Sequence, residues 1–85
     1  MEIEYSPRFQ RAFKKLPRAV KEKALVCEKI FRKNPFDPKL KTHKLHGDMK
    51  EYWAFSISFG YRIGFTFLSG KLVRFHDIGT HDIYK

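Results

Sequence analysis

Cysteine is almost missing from this chain of 85 residues, and Cys27 stands alone. One thiol forms no internal disulfide and no cysteine-based metal site, which excludes the small oxidised secreted scaffolds. Acidic residues are also scarce, nine against 18 Lys and Arg, leaving a net charge of +9 with histidines neutral. No apolar run approaches the ~20 residues that cross a bilayer. The start, Met-Glu-Ile-Glu-Tyr, lacks the basic and apolar segments of a signal peptide. A cytosolic location is expected.

What is present argues for a folded protein. Hydrophobic residues make up 42% and aromatics 16%, with nine Phe, far more than a disordered basic tail carries. One domain spanning 1–85 is expected, with a net stability of ~4–13 kcal/mol for this size. The charge is uneven: residues 1–50 hold 14 Lys and Arg against 6 acids, residues 51–85 only 4 against 3. A basic, aromatic-rich domain of this kind suits a polyanion, whether RNA, DNA or an acidic protein segment.

Ile3 to Tyr5 reads as a short strand. Ser6-Pro7 then supplies an N-cap and a proline suited to the first helical position. Phe9, Ala12, Phe13 and Leu16 recur at helical spacing. Pro17 fits the start of a second helix, whose stripe Val20, Ala24, Cys27 and Phe31 is widened by Leu25 and Ile30 and ends near Asn34-Pro35. Cys27 on that stripe reads as a small buried hydrophobe. Leu40 to Gly47 reads as a polar connector.

From Tyr52 the period becomes two. Trp53, Phe55, Ile57 and Phe59 face one way and Ala54, Ser56 and Ser58 the other. After a turn at Gly60, Tyr61, Ile63, Phe65 and Phe67 alternate with Arg62, Gly64 and Thr66, and Lys71 to Ile78 is a third strand beyond Ser69-Gly70. The expected fold is α+β: an N-terminal strand and a two-helix hairpin packed on one face of an antiparallel meander, with the other face open.

That open face would carry Ser56, Ser58, Arg62, Gly64 and Thr66, joined by Arg74 and His76 if Val73 and Phe75 pack inward. It is either a cationic surface for a phosphodiester backbone or an ordinary solvated sheet face. The four histidines, 43, 46, 76 and 81, form no His-x-x-x-His or His-Glu-x-x-His pattern. No metal and no cofactor are expected. Two histidines flanking a phosphodiester can instead serve as base and acid, each supplying ~10²–10⁴ in rate. His81 follows Gly79-Thr80, where a sheet can aim a loop residue, although Asp82 beside it also suits a turn. Tyr84 can stack on a base or pack the C-terminus. Lys44, His46, Arg74 and His76 are the candidate RNA contacts.

With these residues in view, the chain resembles the RelE/ParE superfamily of type II toxin–antitoxin toxins over essentially its full length. The resemblance lies in Ser-Pro-x-Phe-x-x-x-Phe-x-x-Leu-Pro after the first strand, Leu-x-x-His-x-Leu-x-Gly at 40–47, Gly60-Tyr61-Arg62-Ile63, and the ending Asp77-Ile78-Gly79-Thr80-His81-Asp82-x-Tyr84. The His43 loop and the Gly-Thr-His ending are most similar to the YafQ-type branch. That resemblance implies an endoribonuclease that cuts mRNA on the ribosome and is neutralised by an acidic antitoxin, with a toxin–antitoxin heterotetramer among the assemblies it allows. It implies His81 and His43 as active-site histidines, Tyr84 as the terminal aromatic and Arg62 as the phosphate-contacting arginine. The sequence departs from the branch at Ser56 and Gly60, where a further histidine and an aspartate are expected, and it lacks the strand lysines of RelE proper. A ParE-like DNA gyrase poison and a catalytically decayed toxin that only binds its antitoxin are the alternatives.

Overall fold

In the computed structural model, which describes residues 1–45, 51–58 and 60–80, Ser6 opens the first helix as its residue type predicts. Its Oγ accepts from the Phe9 amide at 3.0 Å, satisfying one of the helix's orphan donors. The same hydroxyl donates to the His76 carbonyl at 2.9 Å, tying the helix start to a strand 70 residues away. The elements are β1 (Glu2–Tyr5), α1 (Pro7–Lys14), α2 (Arg18–Lys33), a 3₁₀ turn (Pro38–Leu40), β2 (His43–Lys44), β3 (Trp53–Ser56), β4 (Arg62–Phe67) and β5 (Leu72–Gly79).

The α+β expectation holds, and the sheet is larger than a meander. It has five strands in the order β1-β5-β4-β3-β2, and β1 runs parallel to β5, pairing Glu2 with Leu72 through Tyr5 with Phe75. The sheet is therefore mixed. The segment read as a polar connector contributes β2, an edge strand in which His43 pairs with Ala54 and Lys44 with Trp53. β3 ends at Ser56, short of the expected strand, whose last position, Phe59, lies outside the described residues.

The core is aromatic because the strands put Phe on alternate positions and α2 brings Phe31 down onto them. Phe31 is fully buried. Its ring lies 5.0 Å from Phe55, 5.0 Å from Phe65 and 5.3 Å from Phe75, the offset and edge-to-face spacings that aromatic pairs prefer. Phe9 of α1 reaches the same cluster. Cys27 is buried in it, and burial pushes its thiol above the ordinary value against the opposing pull of Lys23. It is a small core residue, as its place on the α2 stripe predicts.

β5 carries one irregularity. Phe65 pairs with Phe75 but Gly64 pairs with Asp77, so His76 is an extra residue, as in a β-bulge. Simple alternation would put Ile78 on the face opposite Phe75; the bulge returns it to the core opposite Ile63. Asp77 is buried there and pairs with Arg8 of α1 at 3.0 Å. Among the described residues, no helix is long and apolar enough to cross a membrane.

Candidate functional site

The helices cover one sheet face, and strand pairing assigns the other. His43, Ala54 and Gly64 lie in one row across β2, β3 and β4, Ser56, Arg62 and Gly79 in the next, and Thr66, Arg74 and Glu4 lie beyond. His43 and Arg62 are therefore on the same face. At ~4.8 Å between strands and ~3.4 Å per residue, their Cα atoms are roughly 12 Å apart.

His43 is exposed and held by a local turn. Lys41 adopts the left-handed conformation with φ 53°, uncommon for a residue with a Cβ, and its carbonyl meets His43 Nδ1 at 3.0 Å. A carbonyl only accepts, so Nδ1 carries the proton. In the neutral ring this leaves the Nε2 lone pair unprotonated, which is the tautomer a base requires.

The middle of the face is occupied by a residue that sequence reasoning used only to mark where a strand begins. The Tyr52 ring lies over Gly64, where a Cβ would fall 2.5 Å from Tyr52 Cε1 and 2.9 Å from its hydroxyl. It also packs against His76, ring centres 5.3 Å apart. The signal for Tyr52 was Gly64 itself, since a glycine inside a strand marks a close approach. His76 Nε2 bonds Thr66 Oγ1 at 2.8 Å. Burial first, and the Arg74 charge second, hold its pKa below 6.5.

The other expected site residues divide. Arg74 reaches the open face as expected, but its guanidinium pairs with Glu4 at 2.8 Å, so part of its charge is answered within the sheet. Lys44 lies on the opposite face from His43, its Nζ 5.9 Å from the centre of the Trp53 ring, and is not brought to this site. Ser56 stands beside Arg62 across the β3–β4 pair. Ser58 Oγ, expected at the open face, is buried without a hydrogen-bond partner among the described residues. His46, His81 and Tyr84 lie outside the described residues; the described chain ends at Thr80, one residue past the Gly79–Arg62 pair.

One expected outcome follows for pH. The folded state disfavours protonation of His76, so an unfolded chain binds that proton first. Stability is then complete above about pH 6.5 and falls as pH drops through the lowered value. Thermal melts from pH 7.5 to 5 are expected to show that loss, and His76→Gln is expected to reduce it. An unchanged slope in the variant would assign the effect to other groups.

No family model matches the chain, and neither does any curated protein. Among solved structures it is similar to YafQ from E. coli strain BL21(DE3), at 25% identity and a TM-score of 0.79 over 98% of this chain and 96% of that one. It is also similar to a chain of the E. coli DinJ–YafQ complex, at 28% identity and a TM-score of 0.68 over 96% and 94%. A YoeB/ParE toxin from Agrobacterium tumefaciens shares the fold at 20% identity, with a TM-score of 0.79 over 95% and 99%.

Proposed function

Because the chain has the fold of the RelE/ParE toxin superfamily in its YafQ-like form, we propose that it is the toxin of a type II toxin–antitoxin pair and cleaves mRNA on the ribosome. The observation that carries this reading is His43, exposed on the open face with Nδ1 held by the Lys41 carbonyl and Nε2 left as an acceptor. Arg62 shares that face, at a span that a nucleotide seated across β3 can bridge.

The reaction uses the RNA's own nucleophile. His43 Nε2 takes the proton of a 2′-hydroxyl, the 2′-oxygen attacks phosphorus, and the bond from phosphorus to the 5′-oxygen breaks. Arg62 answers the charge that builds on the phosphate oxygens. His81 is proposed as the acid that protonates the leaving oxygen, and Tyr84 as the aromatic that stacks on or orients the substrate. The products are a 2′,3′-cyclic phosphate and a 5′-hydroxyl. Neither His81 nor Tyr84 enters the geometric support, which rests on His43 and Arg62.

The E. coli DinJ–YafQ structure is itself a toxin–antitoxin complex, and an acidic antitoxin is the proposed partner of this chain. Its support is an apolar groove of about 280 Å³, lined by Phe9, Phe13, Ala24 and Leu25 with Lys14 among its lining residues. Glu28 also lines the groove; the groove matches the apolar face of an amphipathic helix, and acidic flanks match the chain's net charge of +9.

Induced expression tests the reading against its main alternative. Growth and translation are expected to stop with the chromosome intact, and Arg62→Ala is expected to weaken the arrest. DNA breaks with intact mRNA would instead identify a gyrase poison, and no growth effect would identify a protein that only captures antitoxin.

A further inference from the structure

The sheet's second face carries an aromatic surface that the proposed cleavage does not use. Phe36, in the loop after α2, is 52% exposed, although it sits on two other rings. It stacks on Phe67 at 6.0 Å and 21°, and meets Trp53 edge-on at 5.5 Å and 77°. Trp53 and Phe67 are themselves only partly buried. A residue whose sole task was to close the end of the core would bury its ring; Phe36 leaves half of it to solvent.

The surroundings specify what that ring can receive. Lys44 lies over Trp53, 5.9 Å from the ring centre, within cation–π range. The segment that supplies Phe36 and leads into β2 carries four exposed lysines, 33, 39, 41 and 44. Its one acid, Asp37, has a carboxylate oxygen engaged by the Lys39 amide at 2.9 Å. An exposed ring on a segment rich in exposed lysines suits single-stranded nucleic acid, whose bases stack and whose phosphates need positive charge. An acidic peptide would use the lysines but leave the ring plane unexplained.

We propose that Phe36, backed by Phe67 and met edge-on by Trp53, forms with Lys44 a stacking platform for an unpaired RNA base. β2 is the edge strand of the sheet, and its two residues point to opposite faces, His43 to the open one and Lys44 to the platform. One RNA strand passing over that edge would meet both. The platform shares with the cleavage reading only the class of ligand, and it is tested without cleavage.

Trp53 is the chain's one tryptophan, so its fluorescence reports on this surface alone. The probe is a single-stranded 2′-O-methyl RNA oligonucleotide, which has no 2′-hydroxyl to attack, with its duplex and polyglutamate as comparisons. The single strand is expected to quench Trp53. Phe36→Leu, which keeps an apolar cover over Trp53, is expected to bind about tenfold more weakly by anisotropy of labelled RNA. Lys44→Ala is expected to lower the salt slope of binding by about 0.7. Circular dichroism of each variant checks that it is folded. Binding without quenching, or equal affinity in folded Phe36→Leu, overturns the platform. Quenching by polyglutamate as strong as by RNA overturns it in favour of a protein partner. If ribosome-bound mRNA is left uncut while quenching persists, the cleavage reading fails and the platform stands.

Discussion

Replacing His43 with alanine is expected to lower ribosome-dependent cleavage by about 10²–10⁴-fold, the contribution of one positioned acid or base, with the fold unchanged. His43 is exposed on a two-residue edge strand, and its one described side-chain bond is to the Lys41 carbonyl two residues away. Surface substitutions of this kind usually stay within about 0.5 kcal/mol. The rate loss and the stability loss therefore separate. A variant that keeps the wild-type rate removes His43 from the chemistry and leaves its bond to the Lys41 carbonyl as a local turn lock.

Phe31→Ala is expected to be the most damaging core substitution, at about 3–5 kcal/mol. The magnitude comes from position. Phe31 is at 0% exposure, and three strand phenylalanines lean on its ring at 5.0 to 5.3 Å. Those partners come from β3, β4 and β5, so a void there loosens the three strands at once. Against a total of ~4–13 kcal/mol for a chain of this length, the loss takes a large share. A melting temperature lowered by roughly 12 °C or more is expected. A fall of only a few degrees would mean that neighbouring rings close the space.

How much of this was legible in the sequence depended on range. Ser6-Pro7 and the α2 stripe are local signals, and both elements formed as their spacing predicts. The inward set Phe55, Ile63 and Phe65 also follows from alternation, because one buried face fixes strand register; for Val73 and Phe75 the sequence left the parity open, and the packing of β5 shows both buried. The parallel pairing of β1 with β5 joins residues 70 apart, Ile3 with Val73, and no local pattern encodes it. The ion pair that engages Arg74 was hidden for the same reason: Glu4 reaches it only through that pairing. β2 escaped notice because two exposed residues, His43 and Lys44, are too short for a period. Without β2, Lys44 could not be assigned to the face opposite His43.

The candidate site was legible in part. Arg62 was placed on the open face by alternation, and His43 was singled out by residue type and resemblance. What placed them on a common face was strand pairing, and what identified the tautomer of His43 was the left-handed turn at Lys41. The bulge at His76 could not be read either, since Phe75 and Ile78 look like a broken alternation until the extra residue is seen. Tyr52 over Gly64 shows the same limit: the glycine signals that something approaches closely, but not which residue arrives.

Whether His43 acts as the base in RNA cleavage is tested most directly by mapping mRNA 5′ ends after induced expression of the wild type and of His43→Ala. New 5′-hydroxyl ends inside translated frames are expected for the wild type, and their loss in the variant, at equal amounts of folded protein. Intact mRNA in the wild type, or the same ends at undiminished frequency in His43→Ala, would contradict that role.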